Sequence, residues 1–324
     1  MTAGDLNGDG IPDFIIGNFN SNDISFLAGS NNGTVQPQQR IAVGANPWAV
    51  AVGDLNGDGF RDVLTANNGS ANLSLLFGNG NGTFQAQQTL AVGSGPRAVA
   101  IADLNGDGRA DIVAANGSSN NVSVLIGNGN GTFQPEQLYA VGSGPQAITI
   151  FDVNADGFSD IVTANSNAST VSVLLGNGNG TFQVQQSFAT GSFGPNSVTV
   201  ADVNADGYAD IAVALNSSKV SLLLGNGNGT FQSARQFDAG LGSNSVVLAD
   251  VNGDGKLDIV TANRSANNFS VLLGNGNGNF QSQQRFGAGN QPSALSVVDL
   301  NGDGKLDVVT ANRGGNNLSV ILHK

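Results

Sequence analysis

The acidic residues of this 324-residue chain are concentrated in one device. Of 24 carboxylates, 21 fall in a nine-residue motif, D-x-N-x-D-G-x-x-D, and only Asp23, Glu136 and Asp238 lie outside it. The motif occurs seven times, with position 1 at Asp5, Asp54, Asp103, Asp152, Asp202, Asp250 and Asp299. Position 3 is Asn7, Asn56, Asn105, Asn154, Asn204, Asn252 and Asn301, and position 5 is Asp9, Asp58, Asp107, Asp156, Asp206, Asp254 and Asp303. Position 9 is Asp13, Asp62, Asp111, Asp160, Asp210, Asp258 and Asp307. Side-chain oxygens at these four positions, with a backbone carbonyl from position 7, suit a hard cation that takes six to eight oxygens. Position 7 varies freely, as Ile11, Phe60, Arg109, Phe158, Tyr208, Lys256 and Lys305, which is expected where only the carbonyl is used. Position 6 is always Gly, which permits the sharp turn. Up to seven Ca²⁺ ions are therefore expected. Mg²⁺ is less suited, because it keeps several waters. The competing reading is a plain Asx-rich turn, but a turn does not require three carboxylates held close together. Seven Ca²⁺ ions would move the net charge from −12 to +2.

The elements that position these loops follow from the repeat. Successive motifs are 49, 49, 49, 50, 48 and 49 residues apart. A second motif, G-N-G-N-G-T-F, begins at Gly78, Gly127, Gly176 and Gly225, recurs as GNGNGNF from Gly274 and survives as GSNNGTV from Gly29. One unit reads as short apolar strands at Ala98–Ala102, Asp111–Ala115 and Val122–Ile126, then a Gln-rich alternating strand within Thr132–Val141. Turn formers separate them, and no stretch carries a helical period. Four strands per ~49 residues, seven times over, predict an all-β, seven-bladed β-propeller of four-stranded antiparallel blades, forming a single domain over residues 1–324. Phe84, Phe133, Phe182, Phe231 and Phe280 are expected to open the fourth strands and fill gaps between blades. Seven full periods would exceed the chain length, so one strand is expected to be missing at each chain end, and the chain reads as a fragment of a longer protein.

D-x-N-x-D-G-x-x-D between two short apolar strands, followed by G-N-G-N-G-T-F and G-S-G-P, resembles the FG-GAP/VCBS-type repeat found in integrin-α propellers and in many bacterial extracellular proteins. The resemblance covers nearly the whole chain. It implies a seven-bladed propeller with calcium between strands one and two, and roles in adhesion, ligand or carbohydrate binding, or carriage of other domains. It implies an extracellular or cell-surface location. The chain differs in density, because all seven loops are complete, whereas integrin propellers carry the loop in only some blades.

Several classes are excluded by composition. Cysteine is absent and the one histidine is His323, so thiol chemistry, zinc–thiolate sites and Ser–His–Asp catalysis have no residues to work with. A pI near 4.2 argues against nucleic acid as a partner. No apolar run approaches the ~20 residues of a membrane span. Alternating strands place the aspartate loops and GNGNG turns on one face, and the second-to-third loops and G-S-G-P connections on the other. On that second face Trp48, Arg97, Gln146, Asn196, Asn244 and Ser293 begin the innermost strands and should ring the channel mouth. They are the candidate site for a protein or glycan ligand. Drift at a tolerant exposed position is the competing reading. Three functions follow: a non-catalytic binding or adhesion module, a lectin-like propeller, or the propeller part of a calcium-dependent polysaccharide-active enzyme. The first is expected. The three spare acids occupy unrelated blade positions, so no paired acid and base is evident.

Overall fold

A computed structural model describes residues 1–323, all of them in strands, turns and connections. Blade 3 is typical. Its innermost strand, Pro96–Ala102, pairs with Asp111–Asn116, which pairs with Asn121–Leu125, which pairs with Gln137–Ala140, every step antiparallel. Seven such sheets follow one another along the chain. Blades 1 to 6 have four strands and the last has three, Pro292–Val298, Asp307–Asn312 and Asn317–Ile321. The expected missing strand is thus an outer one at the C-terminal end. At the N-terminal end the innermost strand is present but cut to three residues, Thr2–Gly4, where other blades have seven.

Burial explains the strand compositions. The second strand of blades 2 to 7 is buried at all six positions, because a neighbouring blade covers each of its faces. That is why it reads D-I-V-T-A-N rather than as an alternating pattern. The outer strand alternates between exposed and half-buried residues in blades 3 to 5 and is mostly exposed elsewhere, as an edge in water is.

The core is divided into clusters, each shared by two blades. Val113, Val122 and Val124 of blade 3 pack with Ile161 and Leu174 of blade 4, and Val162, Val171 and Val173 of blade 4 with Ile211, Val213 and Leu223 of blade 5. The ring closes where Phe14 of blade 1 meets Leu300 and Val309 of blade 7, a cluster with only these three fully buried members.

The recurring phenylalanines do fill gaps between blades, but they do not open the outer strands. Each lies four or more residues before the outer strand and forms an isolated bridge to the first glycine of the preceding turn, as Phe133 does to Gly127. In three of the five the ring packs at right angles to an aromatic of the outer strand of the blade before, and Phe84 does so to Phe26 of a third strand. Tyr139 meets Phe182 at 5.5 Å, Phe188 meets Phe231 at 5.2 Å and Phe237 meets Phe280 at 5.2 Å. The T-shaped geometry places the positive ring edge on the partner's negative face.

Candidate functional site

Each aspartate loop joins the innermost strand to the second strand, and the same hydrogen bonds recur from blade to blade. In blade 2 the Asp54 carboxylate accepts from the amides of Gly57 at 2.7 Å and Gly59 at 2.9 Å. Asn56 Oδ1 accepts from Asp58 N at 3.0 Å, and Asp58 Oδ1 accepts from Phe60 N at 2.8 Å. Asn56 Nδ2 donates to the other Asp58 oxygen at 2.8 Å. The loop backbone thus folds around its own side-chain oxygens, and glycines 4 and 6 of this loop, Gly57 and Gly59, adopt φ of 77° and 84°. Side-chain-to-backbone bonds of this kind explain why Asp and Asn occupy these positions.

Position 9 behaves differently. Asp62 is fully buried, and its two oxygens accept from Leu55 N at 2.8 Å and from Gly78 N at 2.9 Å. It therefore ties the aspartate loop to the first glycine of the GNGNG turn. The same clamp forms in every blade, and in blade 7 the amide of His323 takes the place of that glycine. Burial pushes the Asp62, Asp160 and Asp210 carboxyls up to about 6, against the pull of the donated amides and with the help of the neighbouring carboxylates at positions 5 and 1. Asp13, Asp111 and Asp258 are raised for the same reasons. At position 1 burial works upward, but the loop amides prevail and hold Asp5 and Asp250 below the usual range.

The donors at positions 1, 3, 5, 7 and 9 are all oxygen and include three carboxylates, one of them buried. This chemistry fits a hard divalent cation and gives a soft one nothing to bind. Among the described residues no three acidic or histidine side chains gather into a ready-made cage, since each carboxylate is turned toward a backbone amide. Oxygens that accept a single amide, such as Asp54 Oδ2 and Asp58 Oδ1, keep a second lone pair available, whereas Asp54 Oδ1 already accepts two amides.

In blades 2 to 6 the position-7 side chain restricts the turn that faces it to glycine. It lies over the second glycine of the GNGNG turn in the same blade. A Cβ at Gly80 would sit 2.3 Å from the Phe60 ring, and one at Gly227 would sit 2.4 Å from the Tyr208 ring. Arg109 and Lys256 cover Gly129 and Gly276 with their aliphatic stems.

On the opposite face the second-to-third loops bond to the connections between blades, as Gly117 N does to Gly95 O at 2.8 Å and Arg264 N to Gly242 O at 3.0 Å. Trp48, Arg97, Gln146, Asn196 and Asn244 come together there. They line a cavity of about 520 Å³ at the channel mouth with Asn216, Arg264, Ser265 and Gln291. Ser293 lies beside it, in a cleft of about 800 Å³ that shares Trp48, Asn244 and Arg264. Five of the six ring residues are thus in one cavity. The sequence reading missed Arg264 and Arg313, which follow the second strands. Arg264 reaches the mouth and Arg313 the adjoining cleft only because their loops fold back onto the connections.

A third repeated feature was also missed. The last residue of the second strand, Asn67, Asn116, Asn165, Asn263 or Asn312, is buried. In blade 4, Asn165 Nδ2 donates to Ser172 Oγ at 2.8 Å and to Thr170 Oγ1 at 3.3 Å, while its Oδ1 accepts from Thr163 Oγ1 at 2.9 Å. Ser172 Oγ in turn donates to Gln185. The signal was an Asn ending one strand with a Ser seven residues on, in six of seven repeats.

The FG-GAP-like repeat model matches residues 5–65, 54–114, 103–163, 152–213, 202–261 and 250–310, so the chain belongs to the FG-GAP-like repeat family. No curated protein sequence is detectably similar to it. Among solved structures it is similar to the BP39L lectin from Burkholderia pseudomallei, with a TM-score of 0.74 at 13% identity over 98% of this chain and 93% of that one. It is also similar to an Agrocybe aegerita lectin that recognises non-reducing terminal N-acetylglucosamine, with a TM-score of 0.61 at 23% identity over 96% and 91%. BBS1N, solved in complex with ARL6DN, matches with a TM-score of 0.69 at 13% identity over 100% and 91%. At these identities the likeness is one of fold.

Proposed function

We propose that this chain is a calcium-stabilised, non-catalytic binding module that works outside the cell. The observation that supports it best is the sevenfold aspartate loop. Each copy puts three carboxylates into one nine-residue loop, one of them fully buried; in blades 1 to 6 burial, aided by the charges at positions 5 and 1, pushes that carboxyl upward, and a divalent cation would offset both costs. Asp, Asn and Asp at positions 1, 3 and 5, the position-7 carbonyl and Asp at position 9 would hold the ion. Bound calcium would supply charge neutralisation and cross-link loop to strand. The chain's own residues supply the frame: position 9 fixes the turn, and the Phe bridges fix blade to blade. Sites of this kind fill at the calcium levels of extracellular fluid, which supports the location. The binding role itself is supported by the propeller fold, shared with two lectins and with a propeller solved in a protein complex. Isothermal titration of the chelator-treated chain with CaCl₂ tests the metal reading. The expected stoichiometry approaches seven, and it falls by one in Asp107→Ala. Absence of calcium-dependent heat would reject it.

A further inference from the structure

We propose that the channel mouth opposite the aspartate loops binds a carboxylate-bearing sugar, a hexuronate or the uronate end of a short oligosaccharide; this deepens, and rests on, the reading of the chain as a binding module.

Charge is the first argument. The chain carries a net −12, yet all 21 motif carboxylates lie on the other face. Asp23 and Asp238, the acids at this end of the blades, are paired with Arg40 and Lys219. Among the described residues Arg97, Arg264 and Arg313 have no carboxylate partner. An acidic protein therefore presents two uncompensated guanidinium groups, Arg97 and Arg264, in the mouth cavity, and a third, Arg313, in the adjoining cleft.

Their placement is specific. The Arg97 guanidinium lies 5.2 Å above the Trp48 ring, Trp48 meets Phe19 edge-on at 5.3 Å, and Arg313 lies 5.6 Å above Phe19. Stacking on an aromatic face holds a guanidinium in place without using its in-plane donors, which remain free for a bidentate carboxylate. The Arg97 stem and its buried, unpartnered Nε pack over Gly117, which leaves the terminal nitrogens as the donors open to a ligand.

The rest of the rim matches hydroxyl groups. Asn244 Nδ2 donates to Ser293 O at 2.6 Å, and Asn196 Nδ2 donates to Ser243 O at 3.4 Å. These bonds to the next blade orient the amides and leave their carbonyl oxygens to accept. Gln146 completes the arc. A volume of about 520 Å³ accommodates a small ligand, and Trp48, 40% exposed, offers an apolar surface at its edge. A simple inorganic anion would use the arginines and neglect the amides and Trp48. A neutral sugar would leave the arginines without a counter-charge. A uronate uses all three.

Trp48 is the only tryptophan, so its fluorescence reports on this site alone. The calcium-loaded full chain is titrated at constant ionic strength with D-glucuronate and D-galacturonate, and separately with glucose, galactose and sodium acetate. Monosaccharides are used because polyuronates chelate calcium. The expected result is a saturable change with at least one uronate, with neutral sugars and acetate at least about tenfold weaker. Arg97→Gln and Arg264→Gln each weaken uronate binding by about tenfold, confirmed by calorimetry, and leave melting temperature and calcium stoichiometry unchanged. No saturable change with either uronate overturns the proposal. So does equal binding of acetate or of neutral sugar, or unchanged affinity in both arginine variants. Calcium is read on the opposite face by an independent heat. Loss of uronate binding with calcium uptake intact therefore rejects this inference alone, while failed calcium uptake rejects the metal reading and leaves the uronate titration to stand by itself.

Discussion

Asp107 and Asp111 lie four residues apart in one loop, yet their oxygens are used differently. Asp107 is a loop carboxylate accepting the Arg109 amide at 2.9 Å. Asp111 is fully buried and accepts the amides of Leu104 at 2.9 Å and Gly127 at 2.7 Å. Asp111→Ala leaves two buried donors unpaired, each worth about 1–3 kcal/mol. Urea denaturation in EGTA should therefore show a loss of roughly 2–5 kcal/mol for Asp111→Ala, and a loss within about 1 kcal/mol for Asp107→Ala. In saturating calcium Asp107→Ala should lose one site's contribution, about 2.7 kcal/mol at one hundred times Kd. Equal losses for both variants in EGTA would refute the division of labour. The repeated loop and the positions of its carboxylates were legible from spacing alone. The clamp was not, because it depends on Gly127, sixteen residues beyond Asp111, being brought back by a strand pair.

At the scale of one blade, the buried Asn is the point where sequence patterning and packing diverge. The stretch Asn116–Asn121 reads as nothing but turn formers, yet Asn116 ends a fully buried strand and its Nδ2 donates to Ser123 Oγ at 2.7 Å and to Asn121 Oδ1 at 2.9 Å. Blade 5 shows that the position tolerates an apolar residue when its partners change too. There Leu215 replaces Asn, and Ser221 Oγ donates instead to Thr190 O at 2.5 Å. In blade 4 the partners are unchanged, so Asn165→Leu strands Thr163 and Thr170 without a partner. A destabilisation of about 1–3 kcal/mol is expected by denaturant melting; a neutral result would mean the network contributes nothing. The four-strand blade itself was legible because seven copies of one pattern are seven readings of it. The outer-strand boundary was not: Phe133 looked like a strand start, and its actual bond is a single bridge to Gly127 that closes the turn.

At the scale of the whole molecule, closure is the weakest seam. The cluster joining blades 7 and 1 has three fully buried members, and the outer edge of Asn317–Ile321 has no partner strand among the described residues. Hydrogen exchange should be faster for the amides of Asn317–Ile321 than for Thr170–Leu174 of blade 4, which has strands on both sides. Equal protection would show that inter-blade packing suffices. Phe14→Ala should cost about 3–5 kcal/mol, since the ring is fully buried at that seam.

If calcium holds the ring together, a thermal melt shows it. Each filled site adds RT ln(1 + [L]/Kd) to stability, and the sites lie in every blade. The circular-dichroism melting temperature is followed in 1 mM CaCl₂, then in excess EGTA, then after calcium is restored, with MgCl₂ as the control. The expected result is a fall of well over about ten degrees in EGTA, full recovery with calcium and little recovery with magnesium. An identical melting temperature with and without calcium would contradict it, and the aspartate loops would then be turns that stand on their own amides.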